Sequence, residues 1–191
     1  GGEIHDILGP LGNPSAIEPH SPVAVVGGGV GMATAYPIAR ALKESGDTVI
    51  SIVGARSKDL ILLEGQMKNV SDEFYVATDD GSRGCKGFVS DVLRRLIENN
   101  HPLDFVYAVG PPVMMRSVAE VTRPCGIKTV VSLNPIMVDG MGMCGACRVT
   151  VGGETKFGCV DGPEFDGHQV NFDELIKRQR LFLPEERMSS L

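Results

Sequence analysis

The chain has 191 residues, 42% of them hydrophobic and 22% charged, which is enough for one sizeable globular domain with an appendage. Its net charge of -6 argues against nucleic acid as a partner, because phosphate binding needs clustered Lys and Arg. No apolar run reaches the roughly 18 residues of a membrane helix, and the start, GGEIHDILGP, has neither the basic end nor the apolar core of a signal peptide.

Residues 1–21 are rich in Gly, Pro and Asn, with one short apolar stretch, IHDIL, and no initiating Met. They read as the tail of something that began earlier. From residue 22 the pattern changes. VAVVGG (23–28) is a short apolar run ending in glycines and predicts a buried parallel strand. MATAYPIARALKESG follows with apolar residues at helical spacing (Ala35, Ile38, Ala39, Leu42) and stops at Gly46. TVISIVGA (48–55) predicts a second strand, and SKDLILLEGQMK a helix capped by Ser57. EFYVATDD (73–80) is a third strand, GFVSDVLRRLIENN an amphipathic helix, and DFVYAVG (104–110) a fourth strand. PVMMRSVAEVTRPCG predicts a further helix, and IKTVVSLN (127–134) a fifth strand.

This alternation predicts an α/β fold with a five-stranded parallel sheet covered on both faces, spanning 22–134. Ligands on such sheets bind beyond the carboxyl ends of the strands. Those ends read GGGVG, GARS, TDDGS and VGPP, small and polar together, which favours a nucleotide cleft.

Gly27, Gly28, Gly29, Val30 and Gly31 lie between a strand and a helix, where backbone N–H groups and the helix start suit a pyrophosphate. The loop departs from the dinucleotide fingerprint. G-x-G-x-x-G read from Gly27 ends on Met32, read from Gly29 it ends on Thr34, and the second strand ends without an acidic residue for a ribose hydroxyl. Arg56 is suited to an adenosine ribose or a 2′-phosphate, or is a solvated surface arginine. Asp79 and Asp80 are candidates for ligand hydroxyls or for capping their own turn. Gly110 and Pro111 bring backbone close to whatever fills the cleft.

Residues 135–163 are glycine-rich and hold three of the five cysteines. The spacing is Asp139-x4-Cys144-x2-Cys147-x11-Cys159; with Cys at 139 it would be the plant-type spacing for a [2Fe–2S] cluster. Gly140, Gly142 and Gly145 let a loop wrap closely around sulfide. RVTVGGETKFGC reads as a hairpin turning at Gly152–Gly153 and returning Cys159 beside the loop. Three other readings stay open: structural zinc, which usually takes paired C-x2-C units, a Cys144–Cys147 redox disulfide, and buried inert cysteines. Asp139 before glycine is also a common turn residue. Cys85, in a loop, and Cys125, ending a helix, are alternative fourth thiolates or structural residues. Residues 164–191 predict a polar tail with a short helix at FDELIKRQRLF. His5, His20, His101 and His168 are scattered and read as loop residues.

VAVVGGGVG, VGPPVMM and NPIMVDGMGMCGACRVTVGGETKFGCVDGPEFDGH resemble the small electron-transfer flavoprotein subunits of the ferredoxin–NADP reductase superfamily. Among these are the dihydroorotate dehydrogenase electron-transfer subunits and, more similar, the alpha subunits of NADH-dependent reduced ferredoxin:NADP oxidoreductases. The resemblance runs from residue 1 to 191. It implies a [2Fe–2S] cluster held by Asp139, Cys144, Cys147 and Cys159, whereas the dihydroorotate subunits have Cys at the Asp139 position. It implies NAD(H) in the cleft at Gly27 to Gly31, Arg56, Asp79 and Gly110 to Pro111. It also implies an N-terminal FAD-binding β-barrel, of which GGEIHDILGPLGNPS resembles the last strand and exit loop. A barrel does not close without most of its strands, so FAD is expected on a longer polypeptide. Hydride would pass between nicotinamide and FAD, and single electrons through the cluster to a larger subunit with its own flavin and iron–sulfur clusters, which handles NADP(H) and ferredoxin. Such assemblies are electron-bifurcating and cytoplasmic, and need no side-chain acid, base or nucleophile. Partners in dihydroorotate dehydrogenase, glutamate synthase or hydrogenase assemblies, or a non-enzymatic nucleotide- or zinc-binding redox sensor, are the alternatives. The sequence leaves NAD against NADP open.

Overall fold

The computed structural model describes residues 2–183 together with Glu185 and Met188. A sheet of seven strands runs through it: β1 Val23–Gly28, β2 Val49–Ala55, β3 Glu73–Thr78, β4 Cys85–Lys86, β5 Phe105–Val109, β6 Lys128–Ser132 and β9 Glu164–Asp166. Their order is β4-β3-β2-β1-β5-β6-β9. All neighbours pair in parallel except β9, which runs antiparallel to β6. The five strands expected from apolar runs are the central ones. β1 and β5 are buried on both faces, so their sequences carry no alternation.

Strand side chains divide into two cores. Val23, Val25, Val49 and Val53 face one way and pack with helix α1 (Met32–Glu44) through Met32, Ala35, Ala39 and Leu42. Ala24, Val26, Ile50 and Ile52 face the other way and pack with α3 (Val89–Glu98) and α4 (Pro112–Thr122). α3 starts where Asp91 Oδ2 accepts the Phe88 N–H at 2.9 Å.

Several elements differ from the sequence reading. Residues 57–68 are not one helix. A 3₁₀ turn, Lys58–Leu60, is followed by Ile61, then Leu63 at φ 55°, and only then α2, Glu64–Asn69. Ser57 is extended and caps nothing through its side chain. The cause is an alternation hidden in the apolar run: Ile61 and Leu63 pack into the α1-side core, while Leu60 and Leu62 face outward. Extended backbone separates neighbours in this way and a helix does not. α4 stops at Thr122 rather than Gly126, because Pro124 has no N–H to continue the ladder, and Arg123–Cys125 form a 3₁₀ turn. Cys85, expected in a loop, lies in edge strand β4. The polar tail supplies a sheet strand, β9, before its helix α5, Phe172–Gln179. Residues 2–21, where the resemblance places the end of a barrel, run without strand or helix. They are tied down by Asn13 N–H to the Gly162 carbonyl at 2.7 Å and by His20 stacked on Phe105.

The hairpin forms as expected. β7 (Arg148–Val151) pairs antiparallel with β8 (Glu154–Phe157), and the turn residues Gly152 and Gly153 both have positive φ. Val149 seats it in the core beside Phe172 and Leu175 of α5.

Candidate nucleotide cleft and cluster loop

A cavity of about 650 Å³ opens at the carboxyl ends of the central strands. Such an end of an open parallel sheet is where ligands sit in this architecture. Gly28, Gly29, Val30, Arg56, Asp79 and Pro111 line it. Gly27, Gly31 and Gly110 lie behind that lining. Their absence of side chain serves packing: a Cβ on Gly31 would stand 2.5 Å from the Val109 carbonyl oxygen. Gly29 has φ +56° with open space where its Cβ would be, so this glycine answers to backbone conformation. Asp80 turns inward on its own loop. Its Oδ1 accepts from the Ser82 N–H and hydroxyl, and these bonds hold its carboxyl below the usual range. Asp79 alone of the pair lines the cavity.

Sequence reasoning missed much of the wall. Asp59, Leu60 and Leu62 come from the broken segment after β2, Phe88 and Ser90 from the start of α3, and Met114 and Ser117 from α4. Phe88 is 62% exposed at the helix start, an aromatic ring facing open space. Leu60 and Leu62 carried a signal in their alternation with Ile61 and Leu63. The wall is mostly apolar with a few polar groups, as small-molecule sites usually are.

The second feature is the loop of residues 135–147. Cys147 and Cys159 are 2% and 5% exposed, and their Sγ atoms are 3.3 Å apart. Burial pushes the Cys159 thiol up, and the neighbouring Cys147 adds to the effect. Cys144 is exposed, its Sγ accepting the Ala146 N–H at 3.4 Å. Asp139 caps the loop: Oδ1 accepts from the Met141 N–H at 2.9 Å and Oδ2 from the Cys144 N–H at 2.8 Å. The Met141 bond leads in holding its carboxyl below the usual range. No three His, Cys, Asp or Glu groups converge in metal-holding geometry among the described residues. The structure therefore brings two of the four expected ligands into contact, with the third and fourth on one tight loop beside them. Gly140, Gly142 and Gly145, all at positive φ, give that loop its curvature. This donor set, soft thiolates on a glycine-rich loop with N–H aimed at sulfur, fits an iron–sulfur cluster.

Cys85 and Cys125 do not join it. Cys85 sits on the opposite sheet edge, beside Arg95 Nη1 at 3.8 Å. Cys125 precedes the start of β6, whereas the loop leaves from its end. The histidines lie outside helices and strands. His101 pairs with Glu73 at 3.1 Å, and His168 Nε2 is 2.9 Å from the Thr122 hydroxyl.

An open parallel sheet with a cleft at its strand ends, followed by a glycine-rich cysteine loop, defines the class: an α/β domain of ferredoxin-reductase type with a candidate cluster loop. The model for the oxidoreductase NAD-binding domain matches residues 25–120, and that for the iron–sulfur cluster binding domain of dihydroorotate dehydrogenase B matches residues 134–171. A dihydroorotate dehydrogenase B (NAD(+)) electron transfer subunit homolog of Thermotoga maritima is 52% identical over 189 residues, 99% of this chain and 66% of the relative. A probable subunit of the same description from Pyrococcus abyssi is 39% identical over 190 residues, 97% of this chain and 69% of the relative. A chain in the structure of an NADH-dependent reduced ferredoxin–NADP oxidoreductase superposes with a TM-score of 0.92 at 50% identity, covering all of this chain and 68% of that one. The chain belongs to the family of dihydroorotate dehydrogenase B-type electron-transfer subunits. It spans about two thirds of the length of the curated relatives it matches. No helix among the described residues is long and apolar enough to cross a membrane.

Proposed function

We propose that this chain is the pyridine-nucleotide and [2Fe–2S] portion of an electron-transfer subunit in a flavin-based, electron-bifurcating NADH-dependent ferredoxin:NADP oxidoreductase. The observation that carries the reading is the joining, in one chain, of the cavity over Gly28–Val30 to the facing pair Cys147 and Cys159. NAD(H) takes the cavity, with its pyrophosphate over the Gly27–Gly31 turn, Arg56 and Asp79 at its ribose hydroxyls, and Pro111, backed by Gly110, beside that turn. Asp139, Cys144, Cys147 and Cys159 hold the cluster. Bound there, the cluster supplies one-electron transfer, while flavin supplies the exchange between hydride and single electrons. FAD is the flavin of the whole electron-transfer subunit. A larger flavin and iron–sulfur subunit receives the electrons and contacts ferredoxin and NADP(H).

The protein's own task is binding and exclusion. The apolar wall of Leu60, Leu62, Val113 and Met114 shields the nicotinamide from water, and the hairpin keeps Cys147 and Cys159 buried together. A dihydroorotate dehydrogenase electron-transfer role is the second reading, supported by the names of the relatives. Asp139, where those subunits resemble each other in having a cysteine, favours the first.

Iron and acid-labile sulfide, with EPR on protein purified without oxygen, test the reading. About two irons per chain and an S = 1/2 signal after dithionite are expected. Zinc with no iron would overturn it. Co-purification of a partner with its own clusters separates the bifurcating assembly from the second reading, in which the partner binds dihydroorotate.

A further inference from the structure

The turn Cys144-Gly145-Ala146-Cys147 carries the carbonyls of Gly145 and Ala146. Each is held by an arginine. Arg148 Nε donates to the Gly145 carbonyl at 2.9 Å, and Arg178 Nη2 donates to the Ala146 carbonyl at 3.1 Å. In a trans peptide the C=O and N–H point in opposite directions. Holding the Gly145 oxygen outward therefore turns the Ala146 N–H inward, where it lies 3.4 Å from Cys144 Sγ. By the same rule the Cys147 N–H points opposite to the Ala146 carbonyl that Arg178 holds.

Arg178 comes from far away in sequence, on the last turn of α5, and that helix is firmly anchored. Phe172 and Leu175 are buried in the core, and Asn171 Oδ1 caps the helix start by accepting the Glu174 N–H. Arg116 of α4 pairs with Asp173 at 3.0 Å. The next residue, Gln179, donates to the carbonyl of Asn134, where the loop segment begins, at 2.6 Å. One rigid helix thus grips both the entry of the cluster segment and the turn between its two adjacent cysteines.

We propose that Arg178, with Arg148, is a positioning residue for the cluster: the two guanidiniums fix the N–H groups of the turn toward sulfur and place positive charge beside it, and so raise the cluster's midpoint potential and slow its loss. N–H bonds to cluster sulfur and nearby cations both favour the state with the added electron. The inference rests on the proposed [2Fe–2S] site.

The test compares Arg178→Ala, Arg178→Lys and the exposed neighbour Arg180→Ala by EPR-monitored redox titration and by iron release to a chelator, with far-UV CD to check the fold. Arg178→Ala is expected to lower the midpoint potential and to speed iron release by about tenfold, the low end of the affinity lost when an outer-shell partner of a metal site is removed. Arg178→Lys restores both, and Arg180→Ala changes neither. If Arg178→Ala does not fold, Arg148→Ala at an exposed position is read the same way. An unmoved potential in the arginine variants overturns the inference while the cluster reading stands, even if iron release quickens, because Arg178 then only braces the helix. Wild-type protein without iron overturns both.

Discussion

Cys147 Sγ and Cys159 Sγ lie 3.3 Å apart although twelve positions separate them. The hairpin makes this contact: β7 leaves directly from Cys147, turns at Gly152–Gly153, and β8 returns the chain to Cys159. The Gly158 N–H donates to the Cys147 carbonyl at 3.1 Å and locks the approach. The two thiols are buried and face each other, which places both at one point for a shared metal centre. Cys159→Ser and Cys147→Ser are each expected to leave the protein without a stable cluster. Iron per chain after anaerobic purification checks this, and near-full iron in either variant would remove that residue from the ligand set.

Asp139 is arranged differently. Its carboxylate already accepts two backbone N–H groups of its own loop. Ligation by one oxygen leaves the other free to keep a bond to the loop. Asp139→Cys is expected to retain the cluster while shifting both its EPR g-values and its potential, since oxygen is a harder and weaker donor than thiolate. Identical spectra and potentials for the two proteins would show that Asp139 acts only as a loop cap.

What the sequence made legible follows from where each signal resides. Val23–Gly28 and Phe105–Val109 announce themselves because strands buried on both faces are apolar without interruption. Cys85–Lys86 and Glu164–Asp166 are strands only because β3 and β6 offer them an edge, and pieces of two or three residues have no period to read. The Leu60–Leu63 run fits both a helical and an alternating pattern, and the tertiary setting chose the latter. Cys144, Cys147 and Cys159 stood out as candidates through spacing, and Asp139 through the resemblance. Arg178 was not, because its contact with Ala146 spans 32 positions and nothing local marks it.

The glycine turn gives a test of packing separate from binding. A Cβ on Gly31 meets the Val109 backbone, which has little room to yield. Gly31→Ala is expected to destabilise the protein by about 1–3 kcal/mol, the usual range for overpacking. Urea unfolding measures it. A variant as stable as wild type would mean that the turn after β1 relaxes away from β5 without loss.

Phe88 presents an exposed ring to the cavity at the start of α3. Stacking of a base on an aromatic side chain is worth about 1–3 kcal/mol, so Phe88→Ala is expected to weaken NADH binding by about tenfold or more while leaving the melting temperature unchanged. Arg56→Ala, in the same cavity, is expected to weaken NADPH more than NADH if the guanidinium meets a 2′-phosphate. Calorimetric titration with both nucleotides decides each point. Unchanged NADH affinity in Phe88→Ala would place the base elsewhere in the cleft.

Stability should fall in acid in part through two carboxylates on the β2–β3 side of the sheet. Asp72 accepts from Lys43 Nζ at 2.6 Å and from the Val49 N–H at 2.8 Å, tying the starts of β2 and β3 to α1. The Lys43 bond first, then the Val49 bond, hold its carboxyl below the usual range, and Arg83 and Lys68 do the same for Glu64. A carboxylate depressed in the folded state contributes stability that is fully present above its unfolded pKa, about 4 for these groups. That contribution is lost as pH falls through the lower folded value. The urea midpoint is therefore expected to show no loss from these groups between pH 7 and about 4.5, then to fall on further acidification. Asp72→Asn keeps the shape, removes the titration, and should give a shallower acid limb with a lower plateau at neutral pH. An acid limb as steep as that of wild type would assign the loss to other carboxylates.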